Sequence, residues 1–322
     1  MADVWEAYRP ELKGVEEQIQ KNLTSPVVLV NTVAGHILSS GGKRIRPLLL
    51  ILASRLCGYP GTDHWLLGCL VEYIHTATLL HDDVVDDADL RRGRHSARKV
   101  WGNQISILVG DYLYSKAMRQ IVDFRSHAVN EVLADACWKM AEGEVLQLYY
   151  NGNPAMPQSD YLKIVEHKTA GLIAAACRIG AIAAGATEAQ ELALFRFGQH
   201  LGIAFQLADD TLDYAANGDC LGKALGQDLR QGKATLPLLH LLEQCSDADR
   251  QMIKDRMETR SLTTHDLTRI QDLMRQYGSI AYAMECARDF IRAAIADLAH
   301  FEDCIHKRAL TVAAEYMVTR DR

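Results

Sequence analysis

The sequence has little proline and lacks the alternation of polar and apolar residues that marks half-buried strands. Its 7 prolines all stand where a helix would begin or end. Between them, apolar residues recur every three or four positions, as on one face of an α-helix. Strands are therefore not expected, and no break between helices is long enough to be a flexible linker. The sequence predicts an all-α fold with a single domain over residues 1–322.

Paired cysteine spacings, targeting segments and membrane-spanning runs are also absent. The 8 cysteines are scattered, and none form a C-x-x-C pair or another spacing typical of zinc. The charged, amphipathic N-terminus resembles neither a signal peptide nor a targeting presequence. No apolar run approaches the length that a bilayer requires. We therefore expect a reducing compartment, no disulfides and a cytoplasmic location.

Positive charge is in deficit, and the formal net charge is -6. This balance gives no basic footprint, so a nucleic-acid partner is not expected. Negative charge is concentrated in LLHDDVVDDADLRRG, residues 79–93, where the aspartates are Asp82, Asp83, Asp86, Asp87 and Asp89. Aspartate is a poor helix former, and like charges four residues apart repel on a helix. The stretch is either a solvated helix end or a site for a cation.

A second acidic motif favours the cation site. QLADDTLDY repeats the Asp-Asp-x-x-Asp arrangement of LLHDDVVDD, again at the end of an apolar helical pattern. Residues four apart share a helix face, so each motif gathers its carboxylates. These are Asp82, Asp83 and Asp86 in the first motif, and Asp209, Asp210 and Asp213 in the second. Oxygen ligands without cysteine or histidine suit a hard ion, above all Mg²⁺ bound together with a diphosphate.

Basic residues that could bind the diphosphate occur in three segments. They are Lys43 and Arg46 in SSGGKRIRP, Arg91 and Arg92 after the first motif, and Lys223 and Lys233 after the second. The glycine break before Lys43 leads into a helix, whose N-terminal amides favour an anion. The alternative is an ordinary basic loop in each case. The last segment is not a P-loop, because its spacing is one residue too long and Ala234 replaces the required Ser or Thr. His75 shares the acidic helix face, so we expect it to contact substrate.

Six motifs together resemble one enzyme family. GGKRIRP, IHTATLLHDDVVDDADLRRG, VGDYLY, EHKTAGL, FQLADDTLDY and GKATLPLL stand in the order and spacing of the trans-isoprenyl diphosphate synthases, also called polyprenyl synthetases. The resemblance implies an isoprenoid synthase fold, which is a single helical bundle around a deep central cavity, and a homodimer. It also implies condensation of isopentenyl diphosphate with an allylic diphosphate. The implied cofactor is Mg²⁺, on the order of two or three ions per active site.

The resemblance also assigns a role to each motif residue. Metal binding and catalysis fall to Asp82, Asp83, Asp86, Asp209, Asp210, Asp213 and Lys168. Isopentenyl diphosphate would be bound by Lys43, Arg46, His75 and Arg92. The allylic diphosphate would be bound by Arg91, Lys168, Thr169, Gln206, Lys223 and Lys233.

Small residues before the first motif indicate a long product. In the family, the side chains four and five residues before that motif help to set product length, and here they are Thr78 and Ala77. Ile74, deeper along the helix, is not aromatic either. One extended isoprene unit is about as long as a helical turn of roughly 5 Å, so an open wall admits several units. We expect a long-chain product of the kind found in quinone side chains, with the pocket floor at Leu113 and Met118 on the next helix.

Three alternative functions agree less well with the motifs. A class I terpene cyclase lacks GGKRIRP and the second Asp-Asp-x-x-Asp. A short-chain farnesyl or geranylgeranyl diphosphate synthase would need another residue to block the pocket. A non-catalytic partner subunit of a heterodimeric synthase usually loses aspartates, whereas this chain keeps all six. The apolar product suggests peripheral membrane contact during release, although the sequence shows no polybasic anchor.

Overall fold

The computed structural model describes residues 1–39, 41–215 and 226–319, and these are mostly helical. The helices of the described part are α1 Ala2–Ala7, α2 Arg9–Asn22, α3 Val28–Leu38, α4 Ile45–Leu56, α5 Asp63–Val85, α6 Ala97–Trp101, α7 Asn103–Phe124, α8 His127–Tyr150, α9 Gln158–Val165, α10 Gly171–Ala183, α11 Glu188–Ala215, α12 Gln227–Arg230, α13 Leu236–Gln244, α14 Asp247–Glu258, α15 Thr264–Gln276, α16 Ser279–Asp297 and α17 Ile305–Thr319. A π-helical turn, Glu166–Ala170, joins α9 to α10, and a 3-10 turn, Leu298–His300, follows α16. The predicted all-α class is confirmed.

The chain divides into two compact units, each assembled from three sections. Unit 1 comprises Met1–Cys137, Ala175–Phe195 and His300–Val312. Unit 2 comprises Trp138–Ala174, Arg196–Ala299 and Ala313–Arg322. The prediction of one domain over the whole chain stays a prediction.

In unit 1, α5 packs against α2, α4 and α7. Helix α2 approaches closely because Gly14 leaves room for the ring of Trp65, which a Cβ on that glycine would meet at 2.4 Å. The Trp65 indole, His64 and Arg55 all donate to the carboxylate of Glu11 on α2. This network satisfies a carboxylate that is largely removed from water and fixes the α2 helix to α4 and α5.

In unit 2, α11 lies against the π-helical turn and α9. A Cβ on Gly202 would come within 2.5 Å of the Ala170 backbone, so only glycine permits this approach. Buried leucines of α13, such as Leu238 and Leu241, form the core with residues of α9, α15 and α16. The close contact sets the last turns of α11 beside the segment that carries Lys168 and Thr169.

The expectation that strands are absent was wrong at one place. Strands β1, Leu90–Arg91, and β2, Arg94–His95, form an antiparallel hairpin in which Arg91 pairs with Arg94. The two residues of its turn, Arg92 and Gly93, have φ angles of 52° and 75°. Two-residue hairpin turns of type I′ require positive φ at both positions. Strands of two residues are too short to show alternation, so sequence periodicity could not reveal them.

Two further sequence expectations concern thiols and membranes. The cysteines of the described part are free, and they include the fully buried Cys69 and Cys177. Burial raises the pKa of each of these two thiols to about 12, which keeps them protonated. Among the described residues, no helix is long and apolar enough to cross a bilayer.

Candidate active site

The first acidic motif lies at the C-terminal end of α5 in unit 1. Asp82 and Asp83 occupy the last turn, and Asp86 caps the helix by donating its N–H to the Asp82 carbonyl at 2.8 Å. The C-terminal end of a helix carries partial negative charge, so carboxylates there are disfavoured unless a cation compensates them. Asp83 is fully buried, while Asp82 and Asp86 are half-buried.

Asp83 is bound on one side by Arg91 of the hairpin. The Nε and Nη2 atoms of Arg91 donate to Asp83 Oδ1 at 2.8 and 2.6 Å. The other oxygen, Oδ2, is buried and accepts no hydrogen bond from the described residues. Burial raises the pKa of Asp83, and the Arg91 charge opposes that rise. A buried carboxylate oxygen without a donor fits a bound cation.

The other two aspartates of this stretch are neutralised on the surface. Asp87 and Asp89 are exposed. Arg98 of α6 forms an ion pair with Asp87 at 2.8 Å, and Lys99 forms one with Asp89 at 2.8 Å. The stretch therefore separates into a motif facing inward and a surface pair, which the sequence alone did not distinguish.

Positive charge gathers beside this motif. The pKa of the half-buried His75 lies well below its ordinary value, first because of burial and then because of the charges of Arg46, Arg92, Arg91 and Arg44. Burial and the Arg92 charge lower the pKa of Arg46, although Glu72 opposes them, and its Nε atom is buried with no hydrogen-bond partner in the described part of the chain. A neutral histidine among several arginines is an environment that favours an anion.

The glycine loop before α4 brings these groups together. Arg92 in the hairpin turn donates to the Gly41 carbonyl, and a Cβ on Gly42 would meet the Arg92 guanidinium at 2.8 Å. The neighbouring Lys43 is exposed, and its carbonyl accepts a hydrogen bond from the Trp5 indole at 2.9 Å. The structure thus places the turn of the hairpin against the glycine loop, and the shared role predicted for Lys43, Arg46, Arg91 and Arg92 stays a prediction.

Sequence reasoning missed the role of Arg44, the middle basic residue of GGKRIRP. Arg44 caps α4 with a φ angle of 45°. It pairs with Glu16 of α2 at 2.6 Å and with the buried Glu72 of α5 at 2.9 Å, and it also donates to the Leu38 carbonyl. Arg44 thus fixes the start of α4, where Arg46 occupies the first turn.

The positions expected to set chain length lie on α5. Ile74 and Ala77 are buried, with exposed fractions of 0% and 1%, and Leu113 on α7 is also buried. Thr78 and Met118 are half-buried, and the Thr78 hydroxyl donates to the His75 carbonyl at 2.8 Å. The two helices pack along each other extensively. The small side chains therefore stand in the packed interior of unit 1, where a substitution changes the available volume.

The second acidic motif lies near the end of α11 in unit 2. Asp209 is exposed, Asp210 is buried and Asp213 is half-buried. Both Asp210 oxygens accept hydrogen bonds, from the Tyr161 hydroxyl at 2.6 Å and from Gln206 Nε2 at 2.7 Å. Thr169 in turn donates to Gln206 Oε1 at 2.9 Å. The structure thus brings together Thr169, Gln206 and Asp210, while the roles predicted for them stay predictions.

Asp228 adds a fourth carboxylate that the sequence analysis did not single out. Its backbone N–H donates to Asp213 Oδ2 at 3.0 Å. Burial and the charges of neighbouring aspartates raise the pKa of both Asp228 and Asp210, and Lys233 opposes the rise in each. In its segment, GQDLRQGK, the sequence pattern singles out only the lysine and the glycines, which resemble a P-loop. The excess of negative charge in this group is a further reason to expect a cation.

The π-helical turn holds Lys168. Its ammonium forms an ion pair with Glu144 of α8 at 2.5 Å and donates to Gln147 at 2.7 Å. Short π-helical insertions are frequent at functional sites, because they rotate side chains out of the regular helical register. No pattern in the sequence predicts this turn. Lys223, the remaining predicted ligand of the allylic substrate, lies outside the described residues.

The carboxylates suit a magnesium site that water and substrate phosphate complete, and not a site made of protein ligands alone. Within the described ranges, no group of three or more His, Cys, Asp or Glu side chains is close enough to hold a metal by itself. Mg²⁺ is commonly bound by one or two carboxylates, and waters and substrate phosphates complete its shell. The buried Asp83 oxygen and the crowded carboxylates around Asp210 are consistent with that mode of binding.

Comparison with known proteins decides the family. The family profile described as Polyprenyl synthetase matches residues 27–274. This chain belongs to the polyprenyl synthetase family. It is 42% identical to the octaprenyl diphosphate synthase of Escherichia coli K12, over 97% of this chain and 96% of that protein.

Two crystal structures of related enzymes resemble the chain over nearly its full length. The decaprenyl diphosphate synthase from Rhodobacter capsulatus has a TM-score of 0.95 and 38% identity, covering 100% of this chain and 99% of that one. The polyprenyl synthase from Caulobacter crescentus CB15, complexed with calcium and isoprenyl diphosphate, has a TM-score of 0.94 and 39% identity, covering 99% and 97%. Members of the polyprenyl synthetase family use divalent metal ions and condense isopentenyl diphosphate with an allylic diphosphate. The chain is a prenyltransferase of isoprenoid biosynthesis. The prediction of a long-chain product is confirmed, since similar enzymes include octaprenyl, nonaprenyl and decaprenyl diphosphate synthases.

Proposed function

We propose that this polyprenyl synthetase extends farnesyl diphosphate, or a similar allylic primer, by successive head-to-tail additions of isopentenyl diphosphate. The product would be an all-trans polyprenyl diphosphate that supplies quinone side chains. The observation that carries the proposal is the separation of charge in unit 1. The carboxylates at the end of α5 favour a cation, and the arginines around His75 favour an anion. Arg91 donates to Asp83 in the first group, and its charge lowers the pKa of His75 in the second.

The two acidic motifs would hold the metal. In unit 1, Asp82, Asp83 and Asp86 would bind magnesium with the allylic diphosphate. In unit 2, Asp209, Asp210 and Asp213 would bind magnesium as the second acidic motif. Magnesium, when bound, neutralises the charge that develops on the departing diphosphate. Arg91 keeps Asp83 in a fixed orientation, because its guanidinium contacts the carboxylate through two N–H groups.

Isopentenyl diphosphate would bind at the glycine loop. Lys43, Arg46 and Arg92 can donate charge-assisted hydrogen bonds to the phosphate oxygens, and the neutral His75 can donate one N–H. Arg46 is half-buried, and its Nε atom is buried without a hydrogen-bond partner in the described residues. The cost of that burial has been met during folding, so the group binds an anion without a further desolvation step.

The allylic diphosphate would be bound by Arg91, Lys168, Thr169, Gln206 and Lys233, with Lys223 from the segment outside the described residues. Cleavage of the allylic C–O bond leaves a carbocation, which the isopentenyl double bond attacks to form the new C–C bond. A proton then leaves the adjacent carbon for the departing diphosphate, so a separate protein base is not required. The apolar residues around Ala77 would exclude water from the cation.

The role of Arg92 can be tested against its neighbour Arg94. We expect Arg92→Ala to raise KM for isopentenyl diphosphate by about 10- to 100-fold, because a charge-assisted contact to phosphate contributes roughly 1.5 to 3 kcal/mol. KM for the allylic primer should change little. Arg94→Ala, on the opposite strand of the same hairpin and also exposed, should leave both KM values unchanged. Steady-state kinetics with each substrate varied in turn measures this, and equal effects of the two substitutions would contradict the assignment.

The state of assembly and the location are parts of the same proposal. Helix α7 exposes several large apolar side chains, including Leu108 and Val122 with exposed fractions of 62% and 59%. A second copy of the chain would cover such a face in a homodimer. We further propose a cytoplasmic enzyme that contacts the membrane surface when it releases its apolar product.

A further inference from the structure

Tyr161 is buried in unit 2 and lies outside the motifs that the sequence analysis used. It stands on α9, and its hydroxyl donates to Asp210 Oδ2 at 2.6 Å. Tyr161 is 3% exposed, and its phenol is a hydrogen-bond donor at neutral pH. Its ring packs in the core with Ile164 and Leu207, which fixes the direction of the hydroxyl.

The second oxygen of Asp210 is oriented by Gln206, which Thr169 orients in turn. Gln206 Nε2 donates to Oδ1, and Gln206 is itself oriented by the Thr169 hydroxyl. Thr169 follows Tyr161 by eight residues, after α9 has passed into the π-helical turn. The segment from Tyr161 to Thr169 therefore constrains Asp210 at both oxygens, directly at one and through Gln206 at the other.

We propose that Tyr161 is a positioning residue for the second acidic motif. Its hydroxyl sets the orientation in which Asp210 meets a divalent cation, and so it determines how tightly the cation–diphosphate pair is bound. Partners that orient metal-binding carboxylates in this way typically change metal affinity by about 10- to 100-fold when they are removed. The inference rests on the metal role proposed above for Asp210.

The test compares Tyr161→Phe with the unmodified chain. The substitution removes one oxygen and keeps the ring, so the core packing is preserved. Binding of Mn²⁺ in the presence of inorganic diphosphate, followed by the electron paramagnetic resonance signal of free Mn²⁺, gives a readout that does not depend on turnover. We expect an affinity about 10-fold weaker. In turnover, the Mg²⁺ concentration for half-maximal rate should rise by a similar factor, and saturating Mg²⁺ should restore most of kcat.

Tyr150 supplies a matched control. It also lies in unit 2, and its hydroxyl donates to an aspartate, Asp160, which belongs to neither acidic motif. Tyr150→Phe should leave Mn²⁺ affinity unchanged. If both tyrosine variants lose affinity equally, the effect is a general one and the proposal is wrong. Thermal unfolding of both variants verifies that the fold is retained.

Asp210→Asn separates this inference from the proposed function. If Asp210→Asn leaves Mn²⁺ binding intact, the metal role of Asp210 is wrong and the inference falls with it. If Asp210→Asn weakens binding but Tyr161→Phe does not, the metal role stands and the positioning role is contradicted. If Tyr161 acts through Asp210, adding Tyr161→Phe to Asp210→Asn causes no further loss, as expected for two residues that share one interaction.

Discussion

Replacing Asp82 with Asn is expected to lower kcat by about 100-fold or more, because it removes a charge placed to stabilise the leaving diphosphate through the bound cation. Asn is nearly the same size and still accepts hydrogen bonds. Asp82 is half-buried at the end of α5. The negative end of a helix disfavours a carboxylate, so folding should not suffer when this charge is removed. Initial rates at saturating substrates and Mg²⁺, together with thermal unfolding, measure the two effects separately.

Asp89→Asn is the matched control, because it lies in the same acidic stretch but outside the motif. Asp89 is exposed and pairs with Lys99 and Arg98. Exposed ion pairs contribute about 0 to 1 kcal/mol to stability, so this variant should keep nearly full activity and stability. Equal activity of the Asp82 and Asp89 variants would contradict the metal site and favour the alternative, in which the whole stretch is a solvated helix end.

Replacing Ala77 with Phe is expected to shorten the product. Ala77 lies a little more than one helical turn, roughly 5 Å, before the first motif, so a bulky side chain at this position would stop the growing chain early. The aromatic ring fills a position that is now 1% exposed and occupied by a single methyl group. Sizing of the dephosphorylated products by chromatography measures the result.

The substitution at Ala77 carries a packing cost of about 1 to 3 kcal/mol, since it enlarges a buried side chain. Ala77→Ser serves as the control, because it perturbs the same site without closing the pocket. We expect the Ser variant to give the same product distribution as the unmodified enzyme. A full-length product from a folded Phe variant would show that the chain does not pass Ala77.

The helices could be predicted because long apolar periodicity determines them. In helix α5 every residue from Leu67 to Ile74 is buried, and the later buried positions Ala77, Leu80 and Asp83 follow at helical spacing. The hairpin at Arg92 could not be predicted in this way. Its strands have two residues each, and only the dipeptide Arg92-Gly93 hints at a turn with positive φ.

The acidic motifs could be located because six aspartates at helical spacing have few explanations other than a cation. The residues that hold them in place were not apparent. Tyr161 resembles any aromatic core residue on an amphipathic helix until its hydroxyl is seen beside Asp210. Asp228 and Arg44 lie within recognised segments, but only the folded chain shows that one joins the acidic group and the other forms ion pairs with Glu16 and Glu72.

The π-helical turn at Glu166–Ala170 marks another limit of sequence reasoning. The sequence around Lys168 and Thr169 is compatible with a regular α-helix. The turn is held by two other helices. Gln199 of α11 donates to Glu166 at 2.7 Å, and Lys168 pairs with Glu144 of α8. Tertiary contacts of this kind leave no local pattern in the sequence.

A product-length assay on the purified chain tests the central claim most directly. The chain alone would receive labelled isopentenyl diphosphate, farnesyl diphosphate and Mg²⁺, and the dephosphorylated products would be sized. The account predicts a ladder that ends near roughly seven to ten isoprene units, as an open pocket wall of several helical turns allows. A product that stops at about three or four units would contradict the open pocket at Ala77, and no consumption of isopentenyl diphosphate would indicate a partner subunit.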